Sequence, residues 1–404
     1  MKTLILGYGV SGKASAALLK ARGVSVVAVD RKAKELVADI PLFPEDAQFP
    51  LEGISQLVVS PGIAPSHPLV QRARKQGIEV TSEIELAFRL VQNRCIGITG
   101  SNGKTTTTLL VAHVLNASGK RARAVGNVGA ALAEAILSAS ADEIFVVELS
   151  SFQLETLYAK KLGCAVCLNI TPNHLDRHAS MREYASAKAR IGECLKEGGR
   201  LFLSSQVWEE YGGLFRSKEL LQENVASICL LEYTQLGKQN VDAAFALCAF
   251  LGVRSEQFAA AAKTFQKPPH RVEWVAERNG VDYFNDSKAT SVAAVMHAIS
   301  LMERPVVLIA GGVHKGASYR PWVDCFRGKV RRVIAYGQAA WLMKEELESV
   351  EIVETLEQAV AMAEREARPG DSVLLSPGCS SYDQFRSYEH RGDVYKRMIK
   401  EGVS

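Results

Sequence analysis

The sequence predicts an α/β protein of three domains: an N-terminal Rossmann-like domain over residues 1–93, a central P-loop ATPase-like parallel sheet over 94–269, and a C-terminal Rossmann-like domain over 270–404. Three observations predict it. Each segment opens with a short apolar run followed by turn residues and a helical pattern, which is the cadence of parallel α/β folds. Two of those strand-to-helix turns are glycine-rich, Gly7-Tyr8-Gly9-Val10-Ser11-Gly12 and Thr99-Gly100-Ser101-Asn102-Gly103-Lys104-Thr105-Thr106. Finally, a chain of 404 residues exceeds what one hydrophobic core usually organises.

Composition excludes several classes. Hydrophobic residues make up 47% and charged residues 23%, an ordinary globular balance. The 48 basic and 44 acidic residues leave +4, too small and too scattered for a nucleic-acid or membrane surface. The N-terminal apolar run Leu4-Ile5-Leu6 lacks the length of a secretory signal, and no apolar stretch approaches the ~20 residues of a membrane span. The expectation is a soluble cytoplasmic protein with no nucleic-acid or membrane partner. Eight cysteines read as reduced thiols, and Cys164 and Cys167 as positions of one buried strand rather than a metal or redox pair.

In the first segment the glycine motif follows a strand and opens a helix, and Asp30 ends the next strand. Glycines permit the tight turn, the helix N-terminus attracts a diphosphate, and the acid can hold a ribose. The motif alone leaves two ligands open, a nicotinamide dinucleotide or a UDP group, beside the plain reading of a tight turn.

The second segment begins after Gln92-Asn93-Arg94 with the run Cys95-Ile96-Gly97-Ile98. Backbone N–H groups of the loop at 99–106 can cradle phosphates, Lys104 adds charge at the β and γ positions, and Thr105 can ligate magnesium. Ile98 stands where the strict Walker pattern has its first glycine, which favours a specialised branch over a generic nucleotidase. Glu148 ends the run Ile144-Phe145-Val146-Val147, so its carboxylate sits at a strand tip, where ligands of parallel sheets collect. It suits Mg²⁺; an isolated acid there would more often cap a helix. His174 lies in a polar loop with Asp176, Arg177 and His178, where an ordinary solvated histidine also fits.

The third segment follows Lys267-Pro268-Pro269, which cannot continue a helix. Strands are expected at 271–275 and 281–284 around the hairpin dipeptide Asn279-Gly280, then at 306–310, 332–336 and 372–375, with a helix at 292–301.

The loop at 99–106 resembles the phosphate loop of the Mur ligase superfamily, which also contains folylpolyglutamate synthetases. Four further stretches agree in order: Gly126-Asn127-Val128-Gly129, Glu148-Leu149-Ser150-Ser151-Phe152-Gln153-Leu154, Asn169-Ile170-Thr171-Pro172-Asn173-His174-Leu175-Asp176 and Tyr184-Ala185-Ser186-Ala187-Lys188. Asn285-Asp286-Ser287-Lys288-Ala289-Thr290 is similar to the branch that adds D-glutamate; the branches adding L-alanine or a diamino acid carry a histidine-rich stretch there. Ser60-Pro61-Gly62-Ile63-Ala64, Gly311-Gly312-Val313-His314-Lys315 and the stretch from Ser376 to Phe385 agree as well.

The resemblance implies ATP-dependent joining of D-glutamate to UDP-N-acetylmuramoyl-L-alanine through an acyl phosphate, by a monomer whose ATP and amino-acid domains close about a hinge near Pro268 and Pro269. It implies UDP contacts from Gly7, Gly9, Val10, Gly12, Asp30, Arg31 and Gly62, and muramoyl contacts from Asn127 and His174. ATP would be held by Gly100, Ser101, Asn102, Gly103, Lys104, Thr105, Thr106, Asn240, Arg271 and Asp286, and D-glutamate by Thr290, Lys315, Ser381 and Tyr388. Two Mg²⁺ ions are implied, with Thr105, Glu148, His174 and a carbamylated Lys188 as ligands. Catalysis would rest on Lys104, Glu148, His174, Lys188 and Lys288. Two departures stand out: the family pattern expects histidine at Gln239 and asparagine at Ala243, and residues 204–238 resemble it little. The alternatives are an amide ligase for another amino acid, an NAD-dependent dehydrogenase using the Gly7 loop, and a non-catalytic UDP-sugar sensor switched by ATP.

Overall fold

The structure, a computed structural model, describes residues 2–173, 177–222, 237–266 and 268–402. Among them the strands form three separate sheets. The chain divides into two compact units, Met1–Ile170 with Arg182–Phe265, and Thr171–Met181 with Gln266–Ser404; the first unit holds the first two sheets.

The first sheet contains β1 (Lys2–Leu6), β2 (Ser25–Asp30), β3 (Leu42–Pro44), β4 (Ile54–Val59) and β5 (Glu79–Ser82) in the order β3-β2-β1-β4-β5, all parallel. Alternate residues bury opposite faces: Leu4, Leu6, Val27 and Val29 pack with Leu69 and Val70, while Ile5, Ala28 and Val58 pack with Ala16 and Leu19. The strand order reverses between β1 and β4, so the loops after these two strands border the crevice where ligands of doubly wound sheets bind.

The second sheet contains β6 (Arg94–Thr99), β7 (Ala122–Gly126), β8 (Ile144–Glu148), β9 (Leu162–Cys167), β10 (Leu195–Leu203) and β11 (Glu219–Leu220) in the order β11-β10-β9-β6-β8-β7, again all parallel. Ile96, Ile98, Val146 and Val166 bury one face against Leu110, Val111 and Val114 of helix Lys104–Ala117 and Val241, Ala244 and Leu247 of helix Lys238–Phe250. Cys164 and Cys167 lie in β9, fully buried, and burial pushes the Cys167 thiol up to about 12. They are core residues, as the strand reading expects.

The third sheet contains β12 (Glu273–Arg278), β13 (Val281–Asn285), β14 (Val306–Gly311), β15 (Val330–Tyr336), β16 (Val350–Val353) and β17 (Ser372–Leu375) in the order β12-β13-β17-β14-β15-β16. Only β12 and β13 pair antiparallel among the described strands, through Asn279 and Gly280 at φ 53° and 75°, the left-handed pair that a two-residue hairpin requires. Helices Val292–Ser300 and Pro321–Phe326 cover one face, and Leu356–Glu366 with Tyr388–Glu401 the other.

Helix Glu83–Leu90 links the two sheets of the first unit through buried acids. Glu83 Oε1 accepts the Ala133 N–H at 3.0 Å, and Glu85 Oε2 accepts those of Tyr158 and Ala159 at 2.8 and 3.0 Å. Burial raises the Glu83 carboxyl to about 7, with the Ala133 N–H opposing the shift. No helix among the described residues is long and apolar enough to cross a membrane.

Candidate active site

The loop after β1 is shaped by contacts that only glycine allows. Gly7 has φ 88°, and a Cβ on Gly12 would collide with the Gly7 carbonyl oxygen. Gly9 caps helix Val10–Ala21. Asp30 turns its carboxylate onto backbone: Oδ2 accepts the Tyr8 N–H at 2.6 Å and Oδ1 the Lys32 N–H at 2.7 Å. Asp30 therefore organises the glycine loop in addition to any ribose contact. From the loop after β4, the Ser60 hydroxyl donates to the Gly7 carbonyl at 2.8 Å. Arg31 is exposed, with Nε on Glu45 Oε1 at 3.0 Å, and the same oxygen meets His67 Nε2 at 3.1 Å. His67 Nδ1 accepts the Leu69 N–H, which leaves Nε2 as the proton-bearing nitrogen. Val10 is exposed and Gly62 has open space on its Cβ side. All seven expected UDP residues thus lie at the C-terminal end of the first sheet, on its loops, on the last residue of β2 or in the first turn of helix Val10–Ala21.

The loop after β6 leaves the strand at Gly100 (φ 153°) and enters its helix through Gly103 (φ 80°). Asn169, on the loop after β9, holds it: its carbonyl accepts the Ser101 N–H and its Oδ1 the Asn102 N–H, both at 2.8 Å, while Nδ2 donates to the Asn102 carbonyl at 3.2 Å and to Gln239 Oε1 at 3.0 Å. Gln239, where the family pattern has histidine, is therefore a polar partner of the loop's clamp. Asn240 is buried, and its side-chain oxygen fills the space that a Cβ on Gly103 would need. Lys104 Nζ donates to the carbonyls of Gly100 and Ser101 at 2.8 and 2.9 Å. Thr105 and Thr106 are buried in the helix's first turn.

Glu148 ends β8 buried at 2% exposure; Oε1 accepts from Asn127 Nδ2 at 3.0 Å, and Oε2 has no hydrogen-bond partner among the described residues. Lys188, on helix Met181–Ala189, is 1% exposed and is no surface lysine. Its Nζ donates to the Gly100 carbonyl at 2.8 Å and lies 4.6 Å over the Tyr184 ring, whose hydroxyl is 3.1 Å from Ser101 Oγ. Burial, then the charge of Lys104, holds the Lys188 amine well below the usual lysine range, with Cys167 and Glu148 opposing. A buried carboxylate oxygen without a partner, beside a phosphate loop, is the hard donor that a Mg²⁺ ion requires, so the donor chemistry fits that metal. His174, Leu175 and Asp176 lie outside the described residues.

In the second unit the loops after β13, β14 and β17 meet. Gly378 N–H donates to Ala289 O at 2.8 Å, and Val313 and Ser380 exchange backbone bonds at 2.8 and 3.1 Å. Lys315 Nζ donates to Thr290 Oγ1 at 3.1 Å, Lys288 Nζ lies 5.1 Å over the Tyr388 ring, and Ser381 is buried. Asp286 accepts from Ser376 Oγ at 2.7 Å and from the Val272 N–H at 3.2 Å. Arg271 sits between His270 at φ 65° and Val272 at φ 44°, a backbone strained for both flanking residues. His270 is held there by Asn285, whose Nδ2 is 2.9 Å from His270 Nδ1.

Comparison with known proteins finds relatives along almost the whole chain. The model of the Mur ligase MurD-like N-terminal domain matches residues 1–82, that of the Mur ligase middle domain 98–218, and that of the Mur ligase glutamate ligase domain 270–379. The chain belongs to the Mur ligase family. This Mur ligase is 44% identical to the UDP-N-acetylmuramoylalanine–D-glutamate ligase of Protochlamydia amoebophila, across 99% of this chain and 98% of that one, and 37% identical to the enzyme of that name from Koribacter versatilis, across 99% and 97%. Its fold is similar to the MurF ligase of Thermotoga maritima solved with ADP (TM-score 0.61, 14% identity, 99% and 94% of the chains) and to MurC from the same organism (TM-score 0.59, 16% identity, 99% of each). Residues that sequence reasoning did not assign to the site are Asn169, Gln239 and Glu45. Asn169 carried a signal, since it opens one of the family stretches; Glu45 carried none.

Proposed function

We propose that this Mur ligase joins D-glutamate to UDP-N-acetylmuramoyl-L-alanine with hydrolysis of ATP to ADP and phosphate, acting in the cytoplasm as a monomer. In this reading residues 1–93 bind UDP, 94–269 bind ATP and 270–404 bind the amino acid. The observation that carries it is the presence in one chain of a clamped phosphate loop with Glu148 and Lys188 beside it, and a cationic loop cluster of Lys288, Lys315 and Thr290 suited to a dicarboxylate. The family relatives named for this reaction add the substrate identities.

A carboxylate resists attack by an amine because its leaving group would be oxide. Transfer of the γ-phosphoryl group to the L-alanyl carboxylate gives an acyl phosphate; the amine then attacks the acyl carbon, the C–N bond forms, phosphate leaves and the nitrogen loses a proton. The N–H groups of Gly103 to Thr106 and the Lys104 ammonium oppose the charge of the transferring group. Thr105, Glu148 and His174 would hold Mg²⁺, which supplies further charge neutralisation at the phosphoryl oxygens. Asn127 orients Glu148, and Asn127 and His174 would bind the muramoyl group. Arg271, Asp286 and Asn240 serve ATP. Lys288 stabilises the oxyanion, and Thr290, Lys315, Ser381 and Tyr388 hold D-glutamate.

Lys188 is the ligand that needs chemistry first. An ammonium beside two Mg²⁺ ions is repelled. Reaction of the neutral amine with CO₂, releasing a proton, turns it into a carbamate with two hard oxygens. Its burial beside Lys104 and Glu148 supports that form.

Phosphate release with purified protein, ATP, magnesium and UDP-N-acetylmuramoyl-L-alanine, varying the amino acid, tests the assignment. D-Glutamate should support turnover. Turnover with L-alanine but not D-glutamate ends the assignment.

A further inference from the structure

Arg391, on helix Tyr388–Glu401, is completely buried. Its Nε donates to Ser287 Oγ at 2.9 Å, Nη2 to the carbonyls of Ser287 at 2.8 Å and Cys379 at 3.1 Å, and Nη1 to that of Gly311 at 3.4 Å. Every partner is neutral, and the residue makes no ion pair among the described residues. A guanidinium does not shed its proton at any ordinary pH, so this is a permanent buried charge whose hydrogen-bond partners are all neutral dipoles. Such a charge is costly unless something anionic comes close.

Its partners belong to three different loops. Ser287 lies on the loop after β13, which carries Lys288 and Thr290; Gly311 ends β14 and leads into the loop that carries Lys315; Cys379 lies on the loop after β17, which carries Ser381. One planar fork therefore ties together the three segments that hold the proposed amino-acid residues. Lys288 and Lys315 add two further cations on the same loops. The same loops also carry Asp286 and Asp383, so with Arg391 and the two lysines these five groups sum to one positive charge, which suits an amino acid with a second carboxylate.

We propose that Arg391 is the positioning residue of the amino-acid site, fixing its three loops and supplying a buried charge that selects an anionic amino-acid side chain. This rests on the reading of that site as the D-glutamate site. The test compares D-glutamate with its neutral isostere D-glutamine in the parent, Arg391→Lys, Arg391→Gln and Arg391→Met. Parent turnover with D-glutamate comes first; without it the functional reading fails, independently of Arg391. The expected result for Arg391→Gln and Arg391→Met is a rise of at least about tenfold in KM for D-glutamate, with KM for ATP unchanged and the preference over D-glutamine reduced by a similar factor. Arg391→Lys, which keeps the charge but not the fork, should keep that preference within about threefold. Equal loss of preference in Arg391→Lys, or neutral variants that keep the parent's KM and preference, overturns the proposal, as does a parallel rise in the KM values for D-glutamate and ATP. If neither neutral variant folds, Arg391→Lys decides alone: preference kept supports the proposal, and a tenfold loss overturns it.

Discussion

The Asn127 amide donates to Oε1 of Glu148 at 3.0 Å, so the carboxylate is aimed by one oxygen while the other, buried, has no hydrogen-bond partner among the described residues. Asn127 follows the last residue of β7 and Glu148 ends β8, neighbouring strands of the second sheet, so the sheet's register sets their distance. The free oxygen costs folding energy in the absence of a ligand, on the order of 1–3 kcal/mol.

Glu148→Gln keeps an acceptor for Asn127 and removes the charge. Thermal unfolding should show a variant at least as stable as the parent, while ATP-dependent phosphate release falls by at least about a hundredfold. Activity within tenfold of the parent would remove Glu148 from the metal site.

Lys188→Ala should retain the fold by circular dichroism and lose roughly two orders of magnitude in turnover. Short carboxylic acids such as formate or acetate, added at millimolar levels, should restore part of it by occupying the vacated anionic position. A fully active variant, or one that no carboxylic acid rescues, argues against a carbamate.

Gly12→Ala places a methyl group against the Gly7 carbonyl oxygen, where backbone and not a flexible side chain must give way. Calorimetry should find binding of UDP-N-acetylmuramoyl-L-alanine weakened by at least about tenfold, with ATP affinity retained. The parent should bind no NAD; tight NAD binding weakened by Asp30→Ala would return the loop to a dinucleotide.

Glu83 provides a pH test. Its carboxyl is raised in the folded protein from 4.5 to about 7, mainly by burial. A raised folded value means that its contribution to stability is complete below the unfolded value and is lost as pH rises through about 7. Glu83→Gln, which keeps the acceptor for the Ala133 N–H, should therefore gain on the parent between about pH 5 and pH 8, by up to roughly 3 kcal/mol. Urea unfolding at a series of pH values measures this; a difference constant across the range would show that Glu83 carries its charge without penalty.

Much of the architecture was legible because it depends on neighbours in sequence. The apolar runs of β6 and β14, the Asn279-Gly280 turn and the two glycine loops each announce local geometry. The placement of Lys104 at a helix start and Glu148 at a strand tip followed from the same patterns. What was not legible depends on distant partners. Nothing beside Arg391 in its polar helix marks it as the one arginine turned inward, because its partners stand 104, 80 and 12 positions away along the chain. The burial of Lys188 is hidden likewise: Glu183, Arg182 and Arg190 around it read as a solvated face, and only the family resemblance pointed inward. Asn169 shapes the phosphate loop from 67 positions away, a distance at which periodicity says nothing.

The Asn169 clamp has a thermodynamic consequence. Because one side chain and its carbonyl already hold the N–H groups of Ser101 and Asn102, and Gln239 in turn holds the side chain, the receptor for the nucleotide's phosphates is assembled by the protein alone. Little chain entropy remains to be lost when ATP arrives, so the binding free energy is not diverted into ordering the loop. Hydrogen–deuterium exchange at Ser101 and Asn102 should already be slow without nucleotide, and Asn169→Ala should speed it while leaving exchange at β1 unchanged.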